Sequence, residues 1–124
     1  MKDVTVLPDT TVIGGVLSGE IDNQGTLRNV RIRVNTIVKG GTLEGVIHNG
    51  GLLQNATLAK GTLIQGGSLA GTVTGNLDNP ALIKNAQVLA NTVLKNVIIG
   101  NGTHLAEGVS ISDGVHFEKD DANQ

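Results

Sequence analysis

The sequence has no cysteine, tryptophan or tyrosine, and only one phenylalanine, one methionine and two prolines. Without cysteine there is neither a disulfide framework nor a thiolate zinc site. Without aromatic rings, which usually supply the largest blocks of buried area, the interior must be filled by Leu, Ile, Val and Ala. No apolar run approaches the ~20 residues of a membrane-crossing helix. The start, Met1-Lys2-Asp3-Val4, lacks the apolar stretch of a secretory signal. A dominant charge is missing too: 9 basic against 11 acidic residues leave a net charge of -2. That balance removes the general attraction toward nucleic acid or an anionic membrane. The expectation is therefore no nucleic-acid partner and no membrane insertion.

What is abundant is glycine, at 18 of 124 residues, set among short runs of Val, Ile, Leu and Thr. This mixture reads as many tight turns between short strands. The runs repeat. Thr36-Ile37-Val38-Lys39-Gly40-Gly41-Thr42-Leu43-Glu44-Gly45 returns, at a spacing of 26, as Thr62-Leu63-Ile64-Gln65-Gly66-Gly67-Ser68-Leu69-Ala70-Gly71. Leu27-Arg28-Asn29-Val30-Arg31-Ile32 returns as Leu53-Gln54-Asn55-Ala56-Thr57-Leu58. The next copy, Leu82-Ile83-Lys84-Asn85, arrives late, with its asparagine at a spacing of 30 from Asn55. A short insertion therefore lies near Asn76-Leu77-Asp78-Asn79. Units of 10–35, 36–61, 62–91 and a divergent 92–117 result, preceded by a partial coil over 1–9 and followed by a charged tail over 118–124.

Within a unit the apolar positions alternate, which is the strand period. Leu17, Leu43 and Leu69 form one apolar column and Ile21, Ile47 and Val73 another; Asp22, His48 and Thr74 hold a polar one. One circuit of short strands cannot bury its apolar side alone, so circuits must stack. The fold class expected is all-β: a single-stranded, right-handed parallel β-helix of four to five coils, with one repeat unit per coil. Six-residue spacing appears at the end, from Ile99 through Leu105 to Ile111. It resembles the hexapeptide-repeat family, the runner-up architecture. There the resemblance implies an acyltransferase with a histidine base; His104 and His116 sit at the sixth position of their hexads, outside the active-site context that such a base needs, and no role is assigned to them.

Several side chains stand out. Asp22 and His48 share a column, so they are expected to be neighbours, either an acid/base pair or a weak surface ion pair. Arg28, Arg31 and Arg33 cluster in one coil and would grip an acidic polysaccharide or a protein partner, or guard an edge. Asn29, Asn55 and Asn85 repeat at one position and Asn23 and Asn49 at another; these are read as turn residues and as stacked amide ladders. Thr11, Thr36, Thr62 and Thr92 make an outward column, which raises ice binding. Asp78, Asp113, Asp120 and Asp121 are loop carboxylates without a calcium-loop pattern. No catalytic, metal or cofactor residues are expected.

The unit running from Thr36 to Leu58 resembles the β-helical repeats of large bacterial secreted and surface proteins, such as adhesins of the filamentous haemagglutinin type. The resemblance covers about 10–117. It implies a non-catalytic spacer or binding surface, extracellular or at the cell surface. Two alternatives stand beside it. One is a bactofilin-like cytoplasmic scaffold that associates end to end. The other is an engineered or excised solenoid, which the near-identical units also fit. Phe117, the only aromatic residue, is expected to plug the C-terminal end.

Overall fold

A computed structural model describes residues 2–112 and 114–118. The chain winds through short strands of two to four residues, each followed by a corner. The strands stack into three parallel seven-stranded sheets, and no helix is present among the described residues. The first sheet contains β1 (Thr5–Val6), β4 (Glu20–Asn23), β7 (Ile37–Lys39), β10 (Leu52–Gln54), β13 (Ser68–Ala70), β16 (Gln87–Val88) and β19 (His104–Leu105). The second contains β2 (Thr11–Ile13), β5 (Thr26–Arg28), β8 (Thr42–Glu44), β11 (Thr57–Leu58), β14 (Thr72–Thr74), β17 (Val93–Lys95) and β20 (Ser110–Ile111). The third contains β3 (Val16–Leu17), β6 (Arg31–Ile32), β9 (Val46–Asn49), β12 (Leu63–Gln65), β15 (Ala81–Lys84), β18 (Val97–Ile99) and β21 (His116–Phe117).

The parallel β-solenoid matches the expected class, but the coil is shorter. A turn takes about 17 residues, and there are about seven turns. The sequence repeat is not one coil. It carries β2 onto β7 and β7 onto β12, that is, from the second sheet to the first and then to the third. Each unit therefore spans five strands, or one and two-thirds turns. Columns that are equivalent in sequence lie on different sheets. Seven strands at ~4.8 Å spacing give a rod about 29 Å long.

The six-residue spacing at the C-terminal end is one strand plus one corner. Ile99, Leu105, Ile111 and Phe117 fall on the third, first, second and third sheets in succession, and Ile99 pairs with Phe117 one turn on. The insertion is absorbed in the loop between β14 and β15. There Asn76 Oδ1 accepts from the Asp78 and Asn79 amides at 2.9 and 3.1 Å.

The core follows from the alternation. Ile21, Val38, Leu53, Leu69 and Val88 point inward from the first sheet and are buried. Ile47, Ile64, Ile83 and Ile99 form the inward column of the third sheet. Aliphatic side chains of this kind contribute ~1.5–3 kcal/mol each when fully buried, so the stack needs no aromatic ring.

Two devices recur at the corners. In the first, a four-residue turn with positive φ at its third residue closes on a threonine. Asn35 (φ 67°), Gly61 (φ 72°) and Asn91 (φ 66°) hold that third place before Thr36, Thr62 and Thr92. These three threonines were expected on the surface with Thr11, which is exposed. They are instead buried, because their hydroxyls serve the corner. The Thr62 hydroxyl donates to the Leu43 and Ala59 carbonyls at 3.2 and 2.7 Å, and that of Thr92 to Leu69 and Leu89 at 3.3 and 2.7 Å.

The second device is an asparagine that reaches up one turn. Asn29 and Asn55 sit at φ 52° and 55°. Their Oδ1 atoms accept from the amides of Val46 and Thr72, at 2.8 and 2.9 Å. The residue before each of those amides is Gly45 or Gly71, where any Cβ would collide with the asparagine oxygen. Asp3 does the same for Glu20, at 2.8 Å.

Candidate binding surface

The solenoid settles where the candidate side chains lie. Asp22 is on β4 of the first sheet, paired with Lys39; His48 is on β9 of the third, paired with Arg31 and Gln65. They are not neighbours, because one repeat period rotates the chain by one sheet. Arg28 projects from the second sheet and forms an ion pair with Glu44 at 3.4 Å, both side chains about half exposed. Arg31 projects from the third sheet. Arg33 lies in the corner turn that ends at Thr36. The three arginines thus occupy two faces and a corner.

The asparagines are similarly dispersed. Asn29 follows β5, Asn55 follows β10 and Asn85 follows β15, so each marks a different corner of the triangle. All three are exposed at positive φ. Their amides meet glycine corners of the next turn rather than one another. Asn23 and Asn49 end β4 and β9 and are buried. Asn23 accepts from Gly25 and donates to the Gly40 carbonyl, at 3.1 and 3.4 Å; Asn49 repeats this with Gly51 and Gly66. Asp78 is in the exposed insertion loop, while Asp113, Asp120, Asp121 and the rest of 119–124 lie outside the described residues.

His104 and His116 are exposed on β19 and β21, on different sheets. Among the described residues no three His, Asp or Glu side chains come together as a metal would require. Phe117 continues the inward column of the third sheet but is 60% exposed, since no described turn lies over it.

Two outward columns emerge that the sequence did not reveal. On the second sheet Thr11, Thr26, Thr42, Thr57 and Thr74 pair in succession. Beside them run Ile13, Arg28 and Glu44, so the face is charged and uneven. On the third sheet Arg31, His48, Gln65 and Lys84 pair in succession. Next to them Val46, Leu63, Leu82 and Ile98 form an apolar outer stripe. The strands of the third sheet contain no Asp or Glu, whereas the first has Glu20 and Asp22 and the second has Glu44. The two ion pairs among the described residues, Arg28–Glu44 and Lys39–Glu20, both lie off the third sheet.

No protein-family model, curated protein or solved structure matches the chain.

Proposed function

We propose that the chain is a non-catalytic structural module, a rigid spacer that carries a contact surface, of the kind found in bacterial surface or secreted repeat proteins. The observation that carries this reading is the unbroken parallel ladder. All three sheets run through the stack with inward aliphatic columns and with corners tied from turn to turn. A solenoid of this kind resists bending because each turn is bonded to the next along three faces. Its titratable groups are spread over separate faces, which suits a spacer better than an active site.

The test uses the absence of native cysteine. Thr5→Cys and His104→Cys place spin labels on the exposed side of the first sheet, six strand steps apart, or about 30 Å. Pulsed spin-label spectroscopy should give one narrow distance distribution. A broad one would remove the rigid-spacer reading.

A second reading, the self-associating scaffold, is favoured by the exposed Ile111 (44%) and Phe117 (60%), which continue inward columns and call for another layer above them. Light scattering on a sizing column decides it: growth of mass with concentration supports head-to-tail stacking, and a constant monomer mass removes it.

A further inference from the structure

We infer that the outer face of the third sheet is a docking strip for an extended acidic polysaccharide lying along the rod axis. The inference rests on the spacer reading, because a strip of fixed pitch needs a rod that does not bend. Arg31, His48, Gln65 and Lys84 project from successive turns. They span three strand steps, about 14 Å, with one hydrogen-bonding side chain every ~4.8 Å.

Charge complementarity identifies the occupant. The protein as a whole is slightly acidic, at -2, yet no strand of this sheet bears a carboxylate. Among the described residues neither Arg31 nor Lys84 has an ion-pair partner, whereas Arg28 and Lys39 on the other sheets do. A polyuronate offers one carboxylate per sugar ring, a spacing of the same order as one strand step. The guanidinium of Arg31 suits bidentate binding of a carboxylate, Lys84 adds a mobile cation, and Gln65 supplies donors and an acceptor for hydroxyls. The adjacent stripe of Val46, Leu63, Leu82 and Ile98 gives the C–H faces of the sugar rings an apolar bed. Nucleic acid fits this strip less well. The strip has no aromatic ring on which a base could stack.

The experiment is a titration of the intact chain with an alginate oligomer by calorimetry at low salt. Its controls are the same oligomer with carboxyls reduced to alcohols and a single-stranded DNA of equal length. Binding to the acidic oligomer alone is expected, weakening as salt rises from about 50 to about 200 mM. The double variant Arg31→Glu/Lys84→Glu should lose at least tenfold in affinity, and Lys95→Glu, exposed on the second sheet, should lose less than threefold. Circular dichroism melts of each variant establish that it is folded. Absence of binding by the native chain, equal binding of the reduced oligomer or the DNA, or equal losses in the two variants would overturn the proposal. None of these outcomes would alter the spin-label distance, so the spacer reading is judged separately.

Discussion

Asn55 Oδ1 accepts a hydrogen bond from the Thr72 amide, one turn above it, at 2.9 Å through the gap left by Gly71. The pair joins two turns at a corner, where Asn55 lies between β10 and β11 and Thr72 opens β14. Asn tolerates the left-handed backbone at φ 55° that most L-residues avoid.

Two substitutions at Asn55 separate these roles. Asn55→Gly keeps the backbone and removes the bond, which should lower stability by about 1 kcal/mol. Asn55→Ala adds the left-handed penalty, for a total of about 2–3 kcal/mol. Urea unfolding of both variants checks the order. Equal losses would mean that the hydrogen bond alone matters.

The buried Thr62 gives a second test. Its hydroxyl serves two carbonyls, Leu43 and Ala59. Thr62→Val keeps the shape and removes the donor, so the loss should be about 1–2 kcal/mol. Were Thr62 a solvent-facing member of an outward column, the same change would be nearly neutral. Thermal melts tell the two apart.

Leu53 lies fully buried at the middle of the first sheet, between Val38 and Leu69. Leu53→Ala should cost about 2–5 kcal/mol, through lost burial and a cavity that the stacked turns relax little to fill. Chemical denaturation measures it. A loss below about 1 kcal/mol would show that the core columns collapse more freely than close packing implies.

The Arg28–Glu44 pair should matter little. Both side chains are about half exposed, and a double-mutant cycle to alanine should return a coupling of about 0.2–1 kcal/mol that falls with added salt. A coupling well above that range would assign the second sheet an electrostatic role that its solvation argues against.

The strand character of this chain was legible because alternation survives in every unit, as in Val46-Ile47-His48-Asn49 with its exposed–buried–exposed–buried pattern. Stacking was legible because no unit can cover its own Leu and Ile. The coil length was not, since the sequence period counts five strands while the fold closes after three. That mismatch separated Asp22 from His48 and sent Asn29, Asn55 and Asn85 to three corners. Hydroxyl burial was hidden as well. A threonine that ends a corner and one that faces water have similar neighbours in sequence, and Thr62 differs from Thr57 in which carbonyls come within reach. The column of Arg31, His48, Gln65 and Lys84 was invisible because its members follow the turn of the rod, not the period of the repeat.

The five-strand unit also governs how such a chain can lengthen. Duplicating one unit advances the rod by one and two-thirds turns, so the new copy presents its side chains on a different face from its parent. Only after three duplications, fifteen strands in all, does a given side chain come back into phase. Any surface inherited through the repeat is therefore wound around the axis like a screw thread. A straight strip on one face has to be selected residue by residue, against the symmetry that copying supplies.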